Sequence, residues 1–164
     1  MTAATEDRPP GKIPAFLAGL QGGMVGVLWM LAWLGISAIW QHRSFWTSEN
    51  LIASAFYGEA AIRRDFTTST ISGTALYLLV YSLMGGLFAV VFHGQSRHVR
   101  VLLLSLAFSL GWYYLSFHVL FRSILPLVFL LHTERPMVLG HLVYGTLLSR
   151  FQNYLRPPSA DKPA

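Results

Sequence analysis

The sequence contains no cysteine and only seven acidic residues in 164. Without cysteine there are no structural disulfides, no thiol redox chemistry, no iron–sulfur clusters and no thiolate zinc sites. Charged residues make up 12%, about half the usual share, against 54% hydrophobic residues. A single domain of this size cannot hide so much apolar surface in a water-facing core, so lipid must solvate much of it. No N-glycosylation acceptor occurs, because Asn50 and Asn153 are each followed two positions on by an apolar residue. Nucleophile-elbow, zinc-protease and phosphate-loop motifs are missing as well. The net charge of +5 does not indicate nucleic acid, because the basic residues sit between apolar runs and at the termini.

What is present is a series of long apolar runs. The first, Ile13 to Trp40, has one strongly polar side chain, Gln21. As a helix it would be about 42 Å long, more than a ~30 Å hydrocarbon core requires. Gly19, Gly22, Gly23 and Gly26 form two overlapping small-xxx-small patterns, which let another helix approach closely in lipid. The run is too long for a signal-peptide core, so the start of the chain is expected to be retained. Residues 1–12 read as a flexible polar tail.

Three more spans follow, at about 73–93, 101–121 and 136–155, and residues 156–164 read as a second polar tail. The loop 41–72 carries N-capping chemistry at 47–50 before Leu51, Ile52, Ala55 and Phe56, which share one face. This pattern predicts an amphipathic helix at the membrane interface, with Glu59 and Arg63 as an i,i+4 pair. Gly85 and Gly86 add a second small-residue surface, and Gly145 a third, four residues after His141. The segment 123–131 is expected to be kinked at Pro126, and is compatible with a re-entrant, an interfacial or a continuing helix. With four spans and the N-terminus inside, Arg8, Lys12, Arg97, Arg100, Arg150, Arg156 and Lys162 lie inside. Arg43, Arg63, Arg64, Arg122 and Arg135 then lie outside, so the charge bias favours both termini in the cytoplasm.

None of the four spans holds Asp or Glu, which argues against proton-coupled exporters and rotary-ring subunits. The titratable groups that remain gather near one end: His118 and Arg122 on span three, His141 and Tyr144 on span four, Tyr77 and Tyr81 on span two. They are the candidate ligand-binding residues. Two facing imidazoles would suit a haem or a metal, and an imidazole with Arg122 a quinone or a lipid headgroup. The simpler alternative is that His141 hydrogen-bonds between helices while His118 and Arg122 sit at the headgroups. No catalytic residue is assigned, no metal is specified and no resident cofactor is predicted.

The segment Arg135-Pro-Met-Val-Leu-Gly-His-Leu-Val-Tyr-Gly-Thr-Leu-Leu-Ser149 resembles the closing helix of small bacterial inner-membrane proteins of the YagU-like type. In those a histidine followed four residues later by glycine recurs, after a long loop and a glycine-rich second span. The likeness covers the last third of the chain and departs at Ser149, where a further glycine is expected. It implies a bacterial inner-membrane location rather than an activity.

The sequence as a whole therefore predicts an all-α polytopic membrane protein, a four-helix transmembrane bundle with an interfacial helix in its first external loop. An accessory or structural subunit is the leading function, packing against other membrane subunits or a second copy through its glycine faces. An oligomeric small-molecule carrier or channel is the alternative. A haem- or quinone-binding redox subunit using His118 and His141 is the third.

Overall fold

The computed structural model describes residues 11–62, 65–95 and 97–155. Both tails and Arg63 of the Glu59–Arg63 pair lie outside these residues, apart from Gly11 and Lys12. Among the described residues the regular structure is entirely helical. Helix α1 (Lys12–Trp40) begins after Gly11 and takes Pro14 in its first turn, where no N–H is needed. Helix α2 (Thr47–Tyr57) leads through a 3₁₀ turn to α3 (Thr68–Phe92). Helix α4 (His98–Tyr114) passes without interruption into a π-helical stretch, Leu115–Phe121, and a final turn, α5 (Arg122–Ile124). A short α6 (Pro126–Leu131), then α7 (Glu134–Leu148) and a 3₁₀ segment to Tyr154 complete the chain.

Three helices are long and apolar enough to cross a membrane: Lys12–Trp40, Thr68–Phe92 and His98–Ile124. Their 29, 25 and 27 residues correspond to about 43, 37 and 40 Å. The second starts five residues before the expected Gly73, because the Thr70 hydroxyl accepts the Thr67 N–H at 3.0 Å and caps the turn. The third runs beyond the expected limits of 101 and 121. Arg122 does not end it; Pro126 does, forcing Leu125 out of helical geometry (φ −129°, ψ 65°). Residues 126–131 are thus a separate short helix that packs against α2.

Packing runs α3–α1–α7–α4, with α3 and α4 touching little directly. Neighbours are antiparallel: Gly19 meets Gly85 across α1–α3, Gly26 meets Tyr144 across α1–α7, and Gly145 meets Ser105 across α7–α4. Hydrogen bonds tie the two ends. At one, Thr133 donates to the Gln41 side chain at 2.6 Å and Arg43 to the Leu131 carbonyl at 2.8 Å. At the other, the Gln152 amide donates to the Gln95 carbonyl. With its 3₁₀ extension, α7 therefore reaches from one end of the α1/α3 pair to the other.

Helix α2 departs from the expected one-sided pattern: Ser48 through Ser54 are all buried. Enclosure by α3 on one side and α6 on another explains this. Gly73 of α3 permits the contact, since a Cβ there would collide with the Glu49 carbonyl oxygen. The Thr70 hydroxyl donates to Asn50 Oδ1 at 2.6 Å, fixing α2 to the start of α3.

Candidate functional site

The core between α3, α4 and α7 holds a buried polar cluster. His141 has no solvent exposure. Its Nδ1 lies 2.7 Å from the Met137 carbonyl, which only accepts, so Nδ1 carries the proton. Nε2 is then an acceptor and receives the Tyr81 hydroxyl at 2.8 Å. The Tyr144 hydroxyl donates to the Tyr81 carbonyl at 2.7 Å, and Ser109 of α4 donates to the His141 carbonyl at 2.5 Å. Four side chains thereby join three helices through bonds that water does not reach. Each is strong in a low-dielectric setting and costly to leave unmade.

Of the six residues singled out in the sequence, Tyr77, Tyr81, His141 and Tyr144 come together, and His118 and Arg122 do not join them. Tyr77 packs on Tyr81 with ring centroids 5.8 Å apart. His118 packs among the rings of Tyr113, Tyr114 and Phe117, while Arg122 is exposed. The Tyr113 ring touches both His118 and His141, with centroids at 5.8 and 5.3 Å. Both ring nitrogens of His141 are engaged, one by the Tyr81 hydroxyl and the other by the Met137 carbonyl. No group of three or more metal-binding side chains occurs among the described residues.

The packing glycines all face other parts of the same chain. Gly19, Gly23 and Gly85 lie at the α1–α3 crossing, and Gly86 faces the Phe16 ring. Gly22 faces Phe151, Gly26 faces Tyr144, and Gly145 faces Ser105 and Ser109. The outward surface instead offers large side chains such as Leu28, Trp29, Leu79 and Leu103.

Three contributors were not read as site residues from the sequence: Ser109, Trp112 and Glu49. Ser109 had a signal, since Val101, Ser105, Ser109 and Tyr113 repeat every four residues and form the buried face of α4. Glu49 belongs to the capping segment 47–50, yet it is 2% exposed and one carboxylate oxygen has no hydrogen-bond partner. Burial pushes its carboxyl up from 4.5 to about 7. Near the α6–α7 junction, burial and the neighbouring Arg43 push His132 down to about 3.

Beside the cluster, where α3 and α4 diverge, lies a half-open cleft of about 230 Å³. Tyr77, Val80 and Tyr81 form one wall, and Trp112, Leu120 and Phe121 the other. Ile52 of α2 closes one end. The Tyr77 hydroxyl is buried without a hydrogen-bond partner, and the buried Trp112 indole N–H lies beside the Tyr81 hydroxyl. No family model, curated protein or solved structure matches this chain.

Proposed function

We propose that this chain is a non-catalytic accessory subunit of a membrane assembly, a helical scaffold that crosses the bilayer four times and packs against other membrane proteins. The observation that carries this reading is the closed hydrogen bonding of the buried cluster. Every polar atom of His141 that could react is committed to Tyr81 or the α7 backbone, so the cluster joins helices rather than presenting a reactive group.

Four crossings are supported by the reach of α7 from the Gln41 end to the Gln95 end. Arg97, Arg100 and Arg150 at the Gln95 end favour placing that end, and with it both termini, in the cytoplasm of a bacterial inner membrane. Since the glycine stripes are filled from within, partner contacts fall on the exposed leucine and tryptophan surfaces. An oligomeric carrier would likewise need a contact surface other than those stripes.

Gentle extraction from the native membrane followed by native mass spectrometry tests the proposal. A hetero-complex is expected. A lone monomer across several mild detergents would sink it.

A further inference from the structure

At the Gln95 end of the bundle, the start of α4 and the 3₁₀ segment after α7 enclose a second cleft, of about 360 Å³. Phe151 holds that segment in place. Its side chain is fully buried against Gly22 and the Phe88 ring, with ring centroids 5.8 Å apart. The Gln152 amide also donates to the Gln95 carbonyl, just ahead of α4. With Phe151 anchored, its neighbours Arg150, Gln152 and Asn153 form one side of the cleft. His98, Val99 and Leu102 of α4 form the other. The lining is therefore divided by chemistry, four polar side chains against two apolar ones, with Leu102 one helical turn deeper than His98. His98, Arg150 and Asn153 are exposed, so their polar atoms can reach a ligand.

We propose that this cleft binds the headgroup of an anionic phospholipid, with Arg150 as the cation for its phosphate and Val99 and Leu102 against the start of its acyl chains. Depth, charge and shape each favour that ligand. The cleft lies at the start of a helix long and apolar enough to cross a membrane, where hydrocarbon gives way to headgroups. Lys12, Arg97, Arg100 and Arg150 belong to this end of the bundle. The four acidic side chains among the described residues, Glu49, Glu59, Asp65 and Glu134, belong to the Gln41 end. An ammonium headgroup would thus find no carboxylate here among the described residues, whereas an anionic one meets only cations. A guanidinium fork matches two phosphate oxygens at once, and Asn153 and His98 can each donate a further hydrogen bond. Free phosphate would leave the apolar part of the lining unused. A lipid covers it, and its chains can continue over the exposed Val99 and Leu103.

The test is a titration of the purified full chain in uncharged detergent with dihexanoyl-phosphatidylglycerol, read as the rise in melting temperature and as bound lipid in native mass spectra. Dihexanoyl-phosphatidylethanolamine and inorganic phosphate are the comparators. A saturable rise is expected with phosphatidylglycerol alone. Arg150→Gln should weaken it about tenfold. Arg100→Gln removes a charge at the same end but outside the cleft, and should weaken it less than about twofold. His98→Leu should weaken it as well, which keeps the test decisive if Arg150→Gln disturbs the fold. Equal losses in Arg150→Gln and Arg100→Gln would overturn the proposal, because general attraction to a basic surface would then suffice. So would a rise that never saturates, phosphatidylethanolamine binding as tightly, or inorganic phosphate giving the same rise at the same concentration. Each result is read on the isolated chain and does not depend on whether a partner protein is found.

Discussion

The Tyr81 hydroxyl meets His141 Nε2 at 2.8 Å inside the protein, sixty residues apart in sequence and on different helices. The Met137 carbonyl fixes the imidazole tautomer by accepting from Nδ1, so Nε2 receives the Tyr81 hydroxyl. Tyr81→Phe would leave a buried acceptor unpaired, and a loss of about 1–3 kcal/mol is expected. Combining it with His141→Phe should cost clearly less than the sum of the two single changes, measured by unfolding in mixed micelles. Strict additivity would mean that the pair is not coupled.

The glycines differ sharply in what surrounds them. A methyl on Gly85 would collide with the Gly19 carbonyl, whereas one on Gly111 meets nothing within 4 Å. Gly85→Ala should therefore destabilise by about 1–3 kcal/mol through overpacking. Gly111→Ala should be neutral, or stabilise by up to about 1 kcal/mol, because α4 is helical there. Melting temperatures of the two variants in the same detergent provide the comparison, and equal shifts would refute it.

Glu49 should make stability depend on pH. Its carboxyl titrates near 7 in the folded protein and 4.5 otherwise, so between these values the folded state holds more protons than the unfolded state. The contribution is fully present below about pH 4.5, declines as pH rises through 7 and then levels off. The full span is about 3 kcal/mol. Glu49→Gln should flatten the profile and be the more stable form at pH 8. A wild-type profile already flat between pH 5 and 8 would exclude a carboxyl perturbed in this way.

The absence of cysteine makes single-cysteine mapping clean. His42, Glu134, Arg97 and Arg150 are all exposed. With four crossings, cysteines at 97 and 150 should label from one side of sealed vesicles, and those at 42 and 134 from the other. Labelling of 134 and 150 from the same side would show that α7 does not cross.

Much of the fold was legible because lipid imposes a simple rule: every backbone polar group must be paired within a helix. Composition and run length therefore indicated helices and Pro126 a kink, but not that the third long helix continues past 121 to Ile124. Nor did they indicate the start of α3, which depends on Thr70 capping Thr67 rather than on apolar content. The inward-facing π turn of α4 left no mark in residue spacing. In the candidate site, Tyr81 and His141 could be placed at similar depth by counting turns. Counting could not say which way the His118 ring faces, and that ring packs within its own helix among Tyr113, Tyr114 and Phe117.

The sequence by itself determined that this chain is helical, apolar enough to cross a membrane and free of thiol chemistry. Those properties follow from local composition, which needs no knowledge of neighbours. Only the tertiary structure decided that the glycine stripes are filled from within, that Glu49 is enclosed between helices, and that Tyr77 and Trp112 border a cleft. Each of these depends on which helix lies against which, and interhelical packing is set by contacts between residues far apart in the chain.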